Sequence, residues 1–512
     1  MSTILIKNVQ LIDGTGRQAV KADVLVKNEK ISAMGRFPYY KADEIIDGMG
    51  AYLAPGFIDV GANSDRYLSI FSEPSQKDFL LQGVTTIIGG EGGLSLAPIF
   101  YGSLSSIDNW ANINGVNVNW HSIKELLNTF SHRKIGVNFG TLVGYNTVRQ
   151  DLTSKEINRA LTPNEFSILN FIVEQALNEG AFGISIGLDN VYGRGFSYAE
   201  IKFLAEISTR NNTLFSINLR DEKEKLIDSI NEILNLVKET GSRTIINNFR
   251  PFLNYERDYE KSVKILTDNA ANADIHFNLY PFDYDIEPLI SFLPKWAQDV
   301  NVEKTLKNIK SKVNRRKFLT DKIFKMNMEL LVTNVNKVFI YAPTQNHLNG
   351  KTLAEFCDNR KLDVISGIFV LMEEIKFKAA LAYQDINFKE IASIFGNDRA
   401  FVASSGGFSE DDKLNKIMEV ENYSSMAFKK FLELIEKEKI LPIETAIYKI
   451  TGLPAQKINL KNRGLIRDGY YADLVLFRDS EIREVIVNGK RVVKDGEFQG
   501  ILAGSVLKRQ QK

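Results

Sequence analysis

The chain has little of what metal centres and disulfide scaffolds are made from. Among 512 residues there are one cysteine, Cys357, and four histidines. A single cysteine excludes a disulfide framework and any Cys-rich zinc module. Neither sign of charge is in excess: 64 Lys+Arg stand against 63 Asp+Glu, a formal net charge of +1. That balance excludes a strongly basic nucleic-acid binder and an acidic disordered chain. No apolar run approaches the roughly 18 to 20 residues of a membrane span. The first ten residues lack the basic-then-apolar order of a secretion signal. The expectation is a cytoplasmic protein with neither membrane nor nucleic acid as partner. What is present, 44% hydrophobic and 25% charged residues, suits a soluble globular chain with ample core.

Both ends read as short strands and turns. Ile4–Ile6, Val9–Ile12, Val24–Val26 and Ile31–Met34 are β-rich, with Lys27-Asn28-Glu29-Lys30 as a hairpin tip. Ala472–Phe477, Ile482–Val487 and Lys490–Val493 follow the same pattern, with Asn488-Gly489 as the turn. Residues 1–54 and 456–505 are therefore expected to form one small β-sandwich domain, with 506–512 as a tail frayed from Lys508 onward. Between them, 55–455 alternates apolar strands with amphipathic helices. Strands are expected at Phe57–Val60, Thr85–Ile88, Gly136–Leu142, Gly183–Ile186, Phe215–Leu219, Arg243–Asn247 and Ile275–Leu279. Helices are expected at Thr162–Glu179, Tyr198–Thr209, Glu222–Glu239 and Tyr259–Ala270. Strand-then-helix repetition over this length favours a (β/α)8 TIM barrel over an open doubly wound sheet. The stretch 284–400 is helical and Lys/Asn-rich, with weak strand signals, and reads as an insertion or lid.

Pro55-Gly56-Phe57-Ile58-Asp59, behind the β-rich start, resembles the amidohydrolase superfamily. Later segments narrow the likeness to the N-acyl-D-amino-acid deacylases, or D-aminoacylases. These are Gln82-Gly83-Val84-Thr85-Thr86 through Ala97-Pro98, Gly183–Leu188 with Tyr192 and Gly195, and Leu293-Pro294-Lys295-Trp296. The C-terminal run is the most specific: Thr451-Gly452-Leu453-Pro454-Ala455, Arg463-Gly464, Gly469 and Ala472-Asp473-Leu474-Val475. The resemblance spans nearly the whole chain in the family's order. It implies an amidohydrolase-type barrel with a small β domain, and a hydrolase of amide C–N bonds in N-acyl-D-amino acids. It also implies a divalent cation, usually zinc, that lowers the pKa of bound water.

The family's ligand positions are all replaced here. Its His-x-His after the first barrel strand reads Gly61-Ala62-Asn63, and its cysteine falls on Gly92, beside Glu91. Its Gly-His reads Gly144-Tyr145, and its His-x-Arg reads Asn218-Leu219-Arg220. Its Ser-His-x-Lys reads Asn247-Asn248-Phe249-Arg250, and its Ser-Asp reads Ser404-Ser405. Glycine offers no ligand, and a neutral amide oxygen suits zinc poorly. The degenerate positions are thus Gly61, Asn63, Gly92, Tyr145, Asn218, Asn248 and Ser405. No metal and no cofactor are expected. His121 and His132 precede the third strand, on the non-catalytic side. His276 lies inside a strand as a packed residue, and His347 is the one histidine placed near the mouth, where a lone loop histidine is ordinarily a surface residue. Asp65, Glu91 and Asp189 as a hard-cation set are a weak signal.

Arg149, Arg220 and Arg250 survive beside lost ligands, and the resemblance makes Tyr192 a substrate-contacting residue. Guanidinium groups at a barrel mouth suit a carboxylate. Arg149, Tyr192, Arg220, Arg250 and Glu91 are the candidate contacts of a small carboxylate-bearing ligand. The plainer account is that the arginines pair with carboxylates such as Asp221 or Glu222. Gly89–Gly93 lacks the Lys-Ser/Thr of a phosphate loop and reads as a tight turn. Lys310–Lys317 reads as a solvated helix face. The leading expectation is a metal-free pseudoenzyme that binds a ligand or serves a structural or regulatory role, as a homo-oligomer or beside a protein partner. One alternative is an active amide hydrolase with a relocated or metal-independent site, built on Glu91 with Tyr145 or His347. Another is an assembly subunit whose barrel pocket is filled.

Overall fold

The computed structural model describes residues 2–100, 104, 107, 110–113, 116–153, 159–406 and 426–510. Eight parallel strands form the barrel. They are Phe57–Asp59, Val84–Gly89, Asn138–Thr141 resuming at Val143–Gly144, Gly183–Gly187, Leu214–Asn218, Arg243–Ile246, Ile275–Leu279 and Ala400–Val402. Each is hydrogen-bonded to the next in the chain, down to the seventh and eighth through Phe277 and Ala400. The eighth meets the first through side chain and loop: Ser404 Oγ donates to Asp59, and Asn63 N to the Gly406 carbonyl. The strands lie between the barrel interior and a helical layer, so nearly all their residues are buried and alternation is lost.

The helices start where local chemistry dictates. Thr162 caps Pro163–Asn178 reciprocally with Glu165, and Pro163 opens the first turn. The third expected helix starts later, at Leu226. Asp221 accepts the N–H groups of Lys223 and Lys225, which folds 221–225 into a loop and frees Glu222 from the helix surface. At the mouth, Gly90, Gly92 and Gly93 all have positive φ (80°, 60° and 79°). That left-handed run is the tight turn expected of the glycine cluster.

The terminal strands form one continuous sheet of nine. Thr3–Leu11 is a single strand bulged between Ile6 and Val9, where Asn8 has φ +56°. The tip at 27–30 and the Asn488-Gly489 turn both close hairpins. One sheet face encloses its own core around Val24, Leu53 and Leu474, while Val475, Val485 and Val493 face the barrel core. The helix Gly452–Lys457 runs across the expected boundary at 456, and the sheet resumes only at Leu474. The tail is docked, not frayed, through residue 510: Leu507 N donates to the Phe139 carbonyl and Arg509 N to that of Gly180. Residues 511 and 512 lie outside the described residues.

The insertion differs most from expectation. It contains an antiparallel sheet of Tyr284–Pro288, Ala380–Gln384 and Phe339–Tyr341, besides its helices. It has a separate core around Leu289, Phe318, Leu331 and Phe369. Strands of three to five residues whose burial does not alternate carry no periodicity that separates them from buried helix. Phe388–Phe395 and Ala400–Val402 belong to the barrel, so the insertion ends before residue 388. No helix among the described residues is long and apolar enough to cross a membrane.

Candidate functional site

A cavity of about 290 Å³ opens at the C-terminal ends of the barrel strands. It is walled on one side by Asp285–Ser291 of the insertion. Asn63, Gly92, Asn218, Asn248 and Ser405 all line it. Gly61 joins Asn63, Asn218 and Asn248 around a small recess beneath. Six of the seven degenerate positions therefore converge.

The floor is a chain of neutral hydrogen bonds hung from one carboxylate. Ser216 Oγ donates to Glu91 (2.7 Å), and the Asn247 amide donates to Ser216. Asn278 donates to Asn247 (2.9 Å) and accepts from the backbone N–H of Asn248 (2.9 Å). Ser405 Oγ donates to Asn248 Oδ1 (2.8 Å). Beside it, Asn218 donates to Asp189 (3.1 Å). Amides and hydroxyls both donate and accept, so they can satisfy one another without an ion.

These residues do not fit a zinc centre. A Cβ on Gly61 would stand 2.6 Å from that of Ala403, so there is no room for a histidine. A Cβ on Gly92 would stand 2.8 Å from Nη2 of Arg66. That guanidinium donates to the Glu91 carbonyl (2.9 Å) and packs over Trp110. A fixed organic cation thus stands beside the position where the family has a thiolate. Asn63, Asn218 and Asn248 supply amide oxygens, which suit hard cations rather than zinc. Among the described residues, no group of three or more His, Cys, Asp and Glu is placed to hold a metal ion.

Burial dominates the electrostatics. It pushes the Glu91 carboxyl up to about 7, against the lowering effect of Ser216 and Arg66. It pushes Asp59 and Asp65 to about 6 and raises Asp189. Arg66 acts on Asp65, Glu91 and Asp189 alike, a cation beside two buried carboxylates and an exposed one. On the outer wall, burial raises Glu222 to about 8 and also raises Glu287. Burial works the same way on Asp285, but Arg250 overcomes it and the carboxyl lies below its usual value.

Three expected site residues lie elsewhere. Tyr145 and Arg149 sit on the helix Tyr145–Thr153, which turns away from the mouth. Both bind Glu200, the tyrosine hydroxyl at 2.6 Å and the guanidinium at 2.7 Å. Arg220 pairs with Glu232 (3.0 Å) and donates to the carbonyls of Arg194 and Phe196. These side chains serve packing between helices, and their sequence positions do not reveal which carboxylate a later helix brings. Arg250 and Tyr192 do line the cavity, and Glu91 borders the recess. Of the pairings expected with Asp221 or Glu222, Arg250 with Glu222 at 3.6 Å is present. His347 is exposed and does not line the cavity, so Glu91 gains neither His347 nor Tyr145 as an acid/base partner. Sequence reasoning missed Arg66, Arg194, Asp285 and Glu287, and named Glu222 only as a partner for an arginine. Only Arg194, close behind Tyr192 in a recognised segment, carried a signal.

No family model matches the chain. It is 24% identical over 538 residues to the D-aminoacylase of Alcaligenes xylosoxydans xylosoxydans, covering 99% of this chain and 97% of that protein. It is 25% identical over 518 residues to the N-acyl-D-aspartate deacylase of the same organism, covering 97% and 93%. Among solved structures, an N-acyl-D-glutamate deacylase from Bordetella bronchiseptica, complexed with zinc and a phosphonate inhibitor, superposes with a TM-score of 0.79. The sequence identity is 21%, and 99% of each chain is covered. A D-aminoacylase structure gives the same TM-score at 24% identity, again over 99% of each chain. Over nearly its whole length the chain is a homologue of the D-aminoacylases, within the amidohydrolase superfamily, and it has their barrel and small β domain.

Proposed function

We propose that this protein is a metal-free amidohydrolase homologue that binds a small carboxylate-bearing ligand at the barrel mouth without hydrolysing it. The observation that carries this reading is the donor set. Glycine, asparagine and serine stand where the resemblance calls for ligands, and Asn248 and Ser405 among them are tied into one hydrogen-bonded chain with Ser216, Asn247 and Asn278. Metal-assisted hydrolysis needs an open coordination position and a water of lowered pKa. Neutral amides and a hydroxyl, most of them already hydrogen-bonded to one another, give a cation little to bind. The described residues leave the cavity open, which favours a binding role over a filled assembly subunit. Self-association, or association with an active partner, belongs to the same proposal.

The relatives are named for amide hydrolysis, so a metal-independent hydrolase is the second reading. It rests on Glu91, whose carboxyl near 7 suits general acid–base work. The test is elemental analysis of protein never exposed to chelator, with micromolar zinc offered, beside an assay on N-acyl-D-amino acids. The proposal expects no stoichiometric metal and no turnover. Stoichiometric zinc with hydrolysis sinks it, and turnover without metal promotes the second reading.

A further inference from the structure

The charges around the cavity are not matched. Arg250 is saturated: it pairs with Asp285 at 2.6 Å and Glu222 at 3.6 Å, and packs on the rings of Phe252 and Tyr280. Lys223 pairs with Asp385 at 2.5 Å. Those two cations face four carboxylates, because Glu287 lies in the same field as Asp285, Asp385, Lys223 and Arg250. Glu287 lines the cavity, and its side chain has neither ion pair nor hydrogen bond among the described residues. The second oxygen of Asp285 is buried without a partner, in a side chain that also lines the cavity. Asn63, 5% exposed and on the same lining, likewise holds its Oδ1 without a donor. The Asp285 and Asn63 oxygens are buried acceptors, costly unless something donates to them, and the Glu287 carboxylate is half-buried on the same wall.

Arg194 presents the opposite deficit. It lines the cavity, its Nε is buried without a partner, and it has no ion pair among the described residues. Burial penalises its charge, and Asp189 and Glu287 offset that only through space. A guanidinium held this way suits an incoming carboxylate.

From this division we infer that the cavity takes a zwitterion of amino-acid size. Its ammonium is held by Glu222, Glu287 and the free oxygen of Asp285, and its carboxylate by Arg194. A cavity of about 290 Å³ is at the small end of ligand sites and fits such a molecule. The inference rests on the proposal of a non-hydrolytic binding site and narrows it. An N-acylated amino acid has lost its ammonium, so the ligand expected here is the free amino acid. Arg250, already neutralised, positions Asp285 rather than meeting the carboxylate.

The test is calorimetric titration of the full chain with alanine, methionine, glutamate and lysine in both chiral forms. Each is compared with its N-acetyl derivative and its methyl ester. Acetylation removes the cation and esterification removes the anion. At least one free amino acid is expected to bind tenfold or more tightly than both derivatives. Glu287→Gln is expected to weaken the free form about tenfold and leave the N-acetyl form unchanged, whereas Arg194→Gln weakens both. Equal binding of free and N-acetyl forms overturns the inference while leaving a binding site in place. Failure of every free amino acid to bind at millimolar concentration overturns it as well. Release of acetate from an N-acetyl form is a different failure, because it refutes the non-hydrolytic reading beneath. The derivative series on the unaltered protein decides the matter even where a variant does not fold.

Discussion

The barrel has a buried polar network at each end, and the two are built to opposite standards. At the base, Arg463 pairs with Asp473 and donates to Asn488 (2.8 Å). Asn138 donates to Asp473 (3.1 Å), Asn488 donates to Asn138 (2.8 Å), and Asn488 N donates to Asp473 (2.8 Å). Every polar side-chain atom of these four residues that is fully buried has a partner. At the mouth, Asn63, Arg66, Arg194 and Asp285 each keep a buried polar atom without one. The base network joins the terminal sheet to the first residue of the third barrel strand. The mouth network runs around the rim of the barrel, from Glu91 after the second strand to Ser405 after the eighth, yet four polar atoms around it stay unpaired. A closed network fixes structure, and an open one awaits a molecule from outside.

The sharpest test of this contrast is at the base. Removing one member of a buried, hydrogen-bonded ion pair strands the other, at a cost of about 3–5 kcal/mol. Arg463→Ala and Asp473→Ala are expected to lower stability by that amount in urea unfolding. Arg194→Gln at the mouth is expected to change stability by less than about 1 kcal/mol. Equal losses at the two ends would break the comparison.

Rebuilding the family pattern gives the next largest effect. Gly61→His with Asn63→His restores two imidazoles in sequence but not in space, because the Ala403 methyl occupies the route of the first side chain. Overpacking of this kind costs about 1–3 kcal/mol. The double variant is expected to be destabilised by that amount and to take up no zinc at micromolar supply. Stoichiometric zinc in that variant would show that the mouth is still organised around a metal.

The barrel was legible in the sequence because it is made of local signals. Seven strands and four helices announce themselves by apolar runs, caps and turns, and the structure places them within a few residues. Convergence of Asn63, Asn218, Asn248 and Ser405 was legible for a related reason: each ends or follows a strand, and strand ends share one rim. The fates of the arginines were not. Arg149, Arg220 and Arg250 occupy equivalent positions after strands, yet Glu200, Glu232 and Asp285 claim them in turn. Which carboxylate arrives depends on packing between elements far apart in sequence. Arg66 was illegible because its role comes from the glycine opposite it, and Glu287 because its strand carries Asp285, Glu287 and Pro288, residue types that strands avoid.

The charge imbalance at the mouth also sets a pH dependence. Burial first, then Asp189, Asp285 and Glu287, hold Glu222 at about 8 despite Arg250. In the unfolded chain the same carboxyl has its ordinary value of about 4.5. Folded protein therefore binds more protons than unfolded protein between those values, and stability falls as pH rises through them. Glu91, near 7, acts in the same direction. The melting temperature is expected to decline from pH 5 to pH 8, and Glu222→Gln to recover about 2 °C at pH 8. A decline unaffected by the substitution would mean that Arg250, 3.6 Å away, keeps Glu222 charged in the folded protein.

Arg220 supplies the smallest effect and the control for the rest. Its sequence position is equivalent to that of Arg250, but its pair with Glu232 is partly exposed, at 30% and 21% for the two side chains. Such a pair is screened by solvent and contributes about 0–1 kcal/mol. Its two bonds to backbone carbonyls hold the Arg194–Phe196 loop, so Arg220→Ala is expected to cost about 1 kcal/mol in unfolding. Amino-acid binding in that variant is expected to change by less than about threefold, since no Arg220 atom lines the cavity. A tenfold loss there would show that Arg194 depends on Arg220 for its placement. The open network of the mouth would then extend outward to the contact between Arg220 and the Arg194–Phe196 loop.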